Sequence, residues 1–158
     1  MHYWLMKSDA GDYTIDDLER DRVEPWTGVR NWEARNFMRE MKKGDGVIFY
    51  HSDGEPSGAA GIGVVAKEAY PDKTQFDKSS KYFDKRATAK KPLWFLVDVA
   101  FVSKFKRTVP ITEMRKTKKL MNMLTLRPGS RLSVTPLTRE EFETIAALAR
   151  QNFMKKEK

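Results

Sequence analysis

Residues 93–105, LWFLVDVAFVSKF, form the most strongly apolar stretch able to make a strand, and they constrain the fold more than any other segment. A strand this apolar needs pairing partners, because one or two strands alone are marginal in water. Strand composition recurs at 2–7 (HYWLMK), 46–51 (GVIFYH), 59–68 and, after the Pro128-Gly129 turn, 131–134 (RLSV). Helical signals are inserted between these runs rather than alternating with them. Thr14 caps a short helix with Asp16 and Asp17 in its first turn, and Tyr13 can staple onto Leu18. Asn31 caps a second helix over 31–42, where Ala34, Phe37, Met38 and Met41 make one apolar stripe and Lys43-Gly44 ends the run. Thr138 to Glu141 is a capping box opening a helix over 138–150, with Phe142, Ile145, Ala146 and Ala149 inward. Residues 110–126 suggest short basic helical turns, and 70–91, polar and without period, read as a long loop. The pattern predicts an α+β fold with a small barrel of bent strands. The core expected from these phases is Leu5, Phe37, Met41, Ile48, Val64, Phe95, Val97, Val99, Phe142 and Ile145.

At 158 residues the chain is sized for one domain. We assign that domain to 1–152, with a basic tail at 153–158. A third of the residues are charged, but apolar and aromatic residues are too plentiful for a disordered chain. The longest uninterrupted apolar run, around Ala59–Ala66, falls far short of the ~18–20 residues of a membrane span. Lys7 and Asp9 interrupt the apolar start too early for a secretory leader. The absence of cysteine removes disulfides, thiol nucleophiles and cysteine-based metal sites. The expected compartment is the cytosol, or the nucleus in a eukaryotic source. The net charge of +8 is unevenly spread. Residues 1–70 sum to −4 and residues 71–158 to +12, and Glu113 is the single acid among nine basic residues in 104–131. Such asymmetry is the footprint of a phosphate-backbone binder. Lys104, Lys106, Arg107, Arg115, Lys116, Lys118, Lys119 and Arg127, with Arg35 on the 31–42 helix, are the candidate phosphate contacts.

Catalytic readings find little support. Gly61-Ile62-Gly63-Val64-Val65-Ala66 matches a dinucleotide-binding pattern, but a turn precedes it and β-branched residues follow where a helix should start. The glycines are expected instead to let a strand bend or another backbone approach. His51-Ser52-Asp53 cannot form a relay in an extended segment, because neighbouring side chains point to opposite faces. A relay of His51 with Ser8 stays open, and with it a hydrolytic or small-molecule-binding enzyme as the alternative function. Two histidines make histidine-based metal sites a poor fit, and no cofactor is expected.

The stretch 26–36, WTGVRNWEARN, gathers Trp26, Trp32, Arg30, Arg35, Asn31 and Asn36. Asn and Arg offer paired donors and acceptors to a base edge, and an aromatic face offers stacking. Seven motifs in order then carry a resemblance: residues 3–8 (YWLMKS), 26–31 with Ala34-Arg35-Asn36, Gly44-Asp45, 49–52 (FYHS), 69–72 (AYPD), 94–99, and 131–134 followed by Pro136. By these the chain resembles EVE-domain proteins of the PUA-like superfamily. It departs at Lys7-Ser8-Asp9-Ala10, where the family usually reads Lys-Ser-Glu-Pro.

The resemblance implies a pseudo-barrel of mixed strands surrounded by helices, similar to the YTH fold, with a pocket for one modified base. The implied partner is DNA carrying a 5-modified cytosine, or RNA carrying a modified base, and the implied role is non-catalytic reading. The pocket residues it implies are Ser8, Trp26, Val29, Arg30, Asn31, Asn36, His51, Ser52 and Trp94, with Leu132 and Ser133 beside them. A modified base must leave the stack to be inspected, at a cost of a few kcal/mol that stacking and hydrogen bonds offset. A protein-interaction module remains a third class of function.

Overall fold

The computed structural model describes residues 1–54 and 57–151, so the basic tail at 153–158 lies outside the described residues. One mixed sheet of six strands organises the chain. In chain order the elements are β1 (Tyr3–Ser8), α1 (Ile15–Asp21), β2 (Val23–Pro25), α2 (Trp32–Glu40), β3 (Gly46–His51), β4 (Gly58–Pro71), β5 (Phe95–Pro110), α3 (Ile111–Arg115), β6 (Val134–Leu137) and α4 (Arg139–Arg150), with three 3-10 turns between them. The strand order is β2-β5-β4-β3-β1-β6; β1 and β3 are parallel and every other pair is antiparallel. No helix among the described residues is long and apolar enough to cross a membrane.

Alternation along the strands builds a core on each face of the sheet. Trp4, Met6, Val47 and Phe49 join Leu18, Trp26, Val29, Ala34 and Met38 on one face. Leu5, Ile48 and Tyr50 join Phe105, Met114, Leu120 and Ile145 on the other. Both capping boxes form, Thr14 with Asp17 and Thr138 with Glu141. Asn31 caps α2 by accepting the Ala34 N–H.

Several boundaries and burials differ from the sequence expectation. β4 and β5 run to 71 and 110, past the expected 68 and 105. β2 gives no sequence signal, because three residues with Glu24 at their centre carry no period. The last strand is 134–137 rather than 131–134, and Pro136 is tolerated because β6 is an edge strand. α2 stops at Glu40, before the expected residue 42. Met41 turns extended, and the buried Asp45 carboxylate accepts the Lys42, Trp4 and His2 N–H groups beside it. Of the expected core, Phe37, Val64, Phe95 and Phe142 are only half-buried. Val64 lies opposite Gly46 in the β3–β4 register, unbroken from Gly46 to Phe49, on the other face of β4 from Val65. Gly61, Gly63 and Val65 are buried in regular alternation, so Val65 joins the core with Val47 and Phe49 while Val64 stays half-buried. Phe37 and Phe142 rest on the rims of the two cores, against Trp4 and Tyr3.

The glycines of 61–66 do what a strand reading requires. A Cβ at Gly61 would sit 2.6 Å from the Ser103 carbonyl oxygen and from Ile15, so β4 can pass this close to β5 and α1 only without a side chain there.

Candidate nucleic-acid interface

A cleft of about 370 Å³ opens beside the C-terminal end of β1. Its floor is Trp26 and Val29, both buried, with the Trp26 indole edge-on to Phe49 at 5.5 Å. Pro25 ends β2, and the Trp26 N–H, donating to the Val97 carbonyl, then holds the chain against β5. Gly28 follows at φ +87, where a Cβ would lie 2.6 Å from the Tyr82 ring. Only glycine lets that ring close over the backbone.

Arg30 fastens this segment to the 72–82 loop. Nε donates to the Tyr82 carbonyl, one Nη to the Val29 carbonyl and Asp72, and the other Nη to the Tyr82 carbonyl and Thr74. Its five donors are thus all engaged. Asp72 is fully buried, and burial alone would raise its pKa. Hydrogen bonds from Gly28, Thr74 and Arg30 outweigh that and hold the carboxyl below the ordinary range. Residues 70–91 are accordingly an ordered wall, centred on the 3-10 turn Lys73–Phe76. Gln75, fully buried, bridges Asp72, Leu93 and Trp94 backbone groups.

Inside the cleft several polar groups stay uncommitted. Among the described residues no acceptor takes the Trp26 indole N–H, and neither Glu24 nor Lys7 has an ion-pair partner. Burial raises the Glu24 pKa, reinforced by the nearby Asp21 and Asp17 charges, and burial lowers that of Lys7. Of the residues singled out in the sequence, Ser8, Trp26, Val29, Arg30 and Ser133 line this cleft. Asn31 is spent on its helix cap, and Asn36 accepts from Arg35 on the outer face of α2. Ser52 donates to the Ser8 carbonyl. Leu132 is half-buried just before β6. Trp94 is buried behind the cleft wall, its indole N–H on Asp84 and its ring stacked against Trp32.

The sequence and fold match known proteins along nearly the whole chain. The EVE domain model covers residues 2–148. This chain belongs to the EVE-domain family. Mouse thymocyte nuclear protein 1 is 40% identical over 165 residues, covering 93% of this chain and 73% of its own length. A Pseudomonas syringae protein of known structure superimposes with a TM-score of 0.90 at 44% identity, covering 93% of this chain and 99% of that one. The human thymocyte nuclear protein 1, solved in complex with DNA containing 5-methylcytosine, superimposes with a TM-score of 0.88 at 38% identity, covering 96% and 99%.

In this EVE domain His51 accepts the Ile15 N–H on Nε2 at 3.1 Å, edge-on to Phe49. Burial holds its pKa below 6.5. The Ser8 hydroxyl donates to the Tyr13 carbonyl, so no serine–histidine hydrogen bond forms. Sequence reasoning overlooked Lys7, Glu24 and Tyr82 as lining residues. Their signal is weak: Glu24 lies in a three-residue strand and Tyr82 in the aperiodic loop.

The basic residues of 104–127 divide by use. Arg107 makes a two-pronged ion pair with Glu113 and also donates to the Leu148 carbonyl. Lys104 pairs with Asp16 at 2.6 Å. Lys106, Arg115, Lys116, Lys118, Lys119 and Arg127 are exposed. Arg115 sits close enough to act on the Tyr50 hydroxyl, and Lys7 lies 5.8 Å from the same ring.

Proposed function

We propose that this EVE domain is a non-catalytic reader of 5-methylcytosine in DNA, and that the Trp26 cleft receives the extruded base. The observation that carries the reading is the uncommitted polar set around one aromatic floor. Trp26 supplies apolar contact and an N–H, while Glu24 supplies an acceptor for the cytosine exocyclic amine. The cleft volume lies in the range of small-ligand sites. Hydrogen-bonding groups set around a base discriminate strongly, because a wrong base leaves them unpaired. The human relative's complex with 5-methylcytosine-containing DNA supports DNA as the partner. His51 has spent its acceptor on Ile15 and Ser8 its proton on Tyr13, which favours reading over hydrolysis.

Fluorescence anisotropy on duplexes differing only in one 5-methyl group tests this, with the matching RNA strand as a further arm. Trp26→Ala is expected to abolish the preference and to weaken binding of the modified duplex about tenfold, within the range of base–aromatic stacking. Because Trp26 also fills the core, Glu24→Gln, which keeps the shape, is the second variant and should reduce discrimination without lowering Tm. Wild-type preference in both variants would overturn the cleft assignment. A stronger preference for the RNA strand would overturn DNA as the partner.

A further inference from the structure

We infer that the outer face of α2 is a second nucleic-acid surface, on which a base of an unpaired strand stacks on the Trp32–Arg35 pair while Arg39 neutralises an adjoining phosphate. Trp32 is 44% exposed, a large aromatic surface to leave in water. It is also held still, with its ring stacked on the buried Trp94 at 4.3 Å and 21°. Trp94 is in turn fixed through its indole N–H to Asp84. With Trp94 stacked on this indole and the Arg35 guanidinium laid over it, the three form a rigid platform on which a base stacks at little entropic cost.

Three arginines crowd it, and of these Arg86 is already ion-paired with Asp84 at 2.8 Å. Arg35 lies 4.6 Å and Arg86 5.8 Å from the Trp32 ring. The Arg35 guanidinium is pinned flat by Asn36 and the Leu93 carbonyl, and guanidinium planes accept bases as aromatic rings do. Arg39, one turn further along α2, lies 4.7 Å from the Phe95 ring. Neither Arg35 nor Arg39 has a carboxylate partner among the described residues. Two unpaired guanidinium groups at i and i+4 repel each other, and an anion between them relieves that repulsion. Phosphates beside a stacked base meet this requirement. The surface is separate from the cleft floor: Trp32, Arg35, Arg39 and Arg86 do not line the cleft, and Arg30 and Tyr82 lie between.

The probe is a single-stranded deoxyuridine 15-mer, which has no 5-methyl group and stacks weakly on itself. The wild-type protein should bind it in a salt-dependent way. Trp32→Leu, which keeps apolar cover over Trp94 but has no π-face, is expected to weaken this binding about tenfold, whereas Trp32→Phe should retain most of it. Arg39→Gln should flatten the salt dependence by about one unit. The methylcytosine preference on duplexes should stay at the wild-type ratio in Trp32→Leu, so failure here and failure of the cleft reading are distinguishable. No binding of the probe by wild type, equal losses in Trp32→Leu and Trp32→Phe, or wild-type affinity in Trp32→Leu at unchanged Tm would each overturn the proposal. A changed methyl preference without loss on the probe would reassign Trp32 to the cleft and overturn it too.

Discussion

Arg30 has five N–H donors, and the fold uses them all on Asp72, Thr74 and two carbonyls. A residue that reads in sequence as a base contact is therefore a fastener of the cleft wall. Arg30→Lys keeps the charge and loses the fork, leaving part of the buried Asp72 unsatisfied. We expect a loss of about 3 kcal/mol, measured by denaturant titration, with the cleft loosened as a consequence. His51 makes a second residue-scale prediction. Its folded pKa lies below its ordinary 6.5, so the unfolded chain binds the proton more readily. That contribution is present above pH 6.5 and is lost as the pH falls through the folded value. Glu24, raised by burial, acts in the opposite sense and is common to wild type and variant. In His51→Gln, which retains an acceptor for Ile15, the fall in Tm between about pH 7.5 and about pH 5.5 should be smaller than in wild type. Thermal melts across that range check the sign.

Strands β4 and β5 show how elements decide what residue patterns leave open. Their apolar composition is readable from the chain, yet the register with β3 and four register shifts between β4 and β5 determine which side chains face inward. Val64 and Val65 are equally apolar, and the register with β3, which sets Val64 opposite Gly46, leaves Val65 as the one in the core. Gly61 is the pivot, because β5 and α1 occupy the space a side chain needs. Gly61→Ala should cost about 1–3 kcal/mol through overpacking against backbone, read as a lower denaturant midpoint. The helices are more legible. Thr14, Asn31 and Thr138 each cap where local rules place a cap, since capping is settled within four residues of chain. The 70–91 loop is the opposite case. Its order comes from Gln75 and Asp72 bonding to distant backbone, and no local period announces that.

Across the whole molecule the +8 charge is partly spent inside the fold. Arg107 is tied to Glu113 and Leu148, so Arg107→Ala should lower Tm. Exposed Lys118 and Lys119 carry no such duty. Neutralising either should weaken modified and unmodified DNA alike and reduce the salt slope by about one unit, measured by anisotropy across a salt series. The sequence alone determined the α+β class, the caps, most of the core and the family, because these rest on local propensity and on motifs that keep their order. It also placed Trp26 and Val29 in the stretch that forms the cleft floor. Only the tertiary structure decided which polar groups in that stretch remain free. Arg30 looks as available as Glu24 and Lys7 until long-range partners are in place, and hydrogen bonds across more than forty residues, such as Gly28 and Arg30 to Asp72, leave no trace in local pattern.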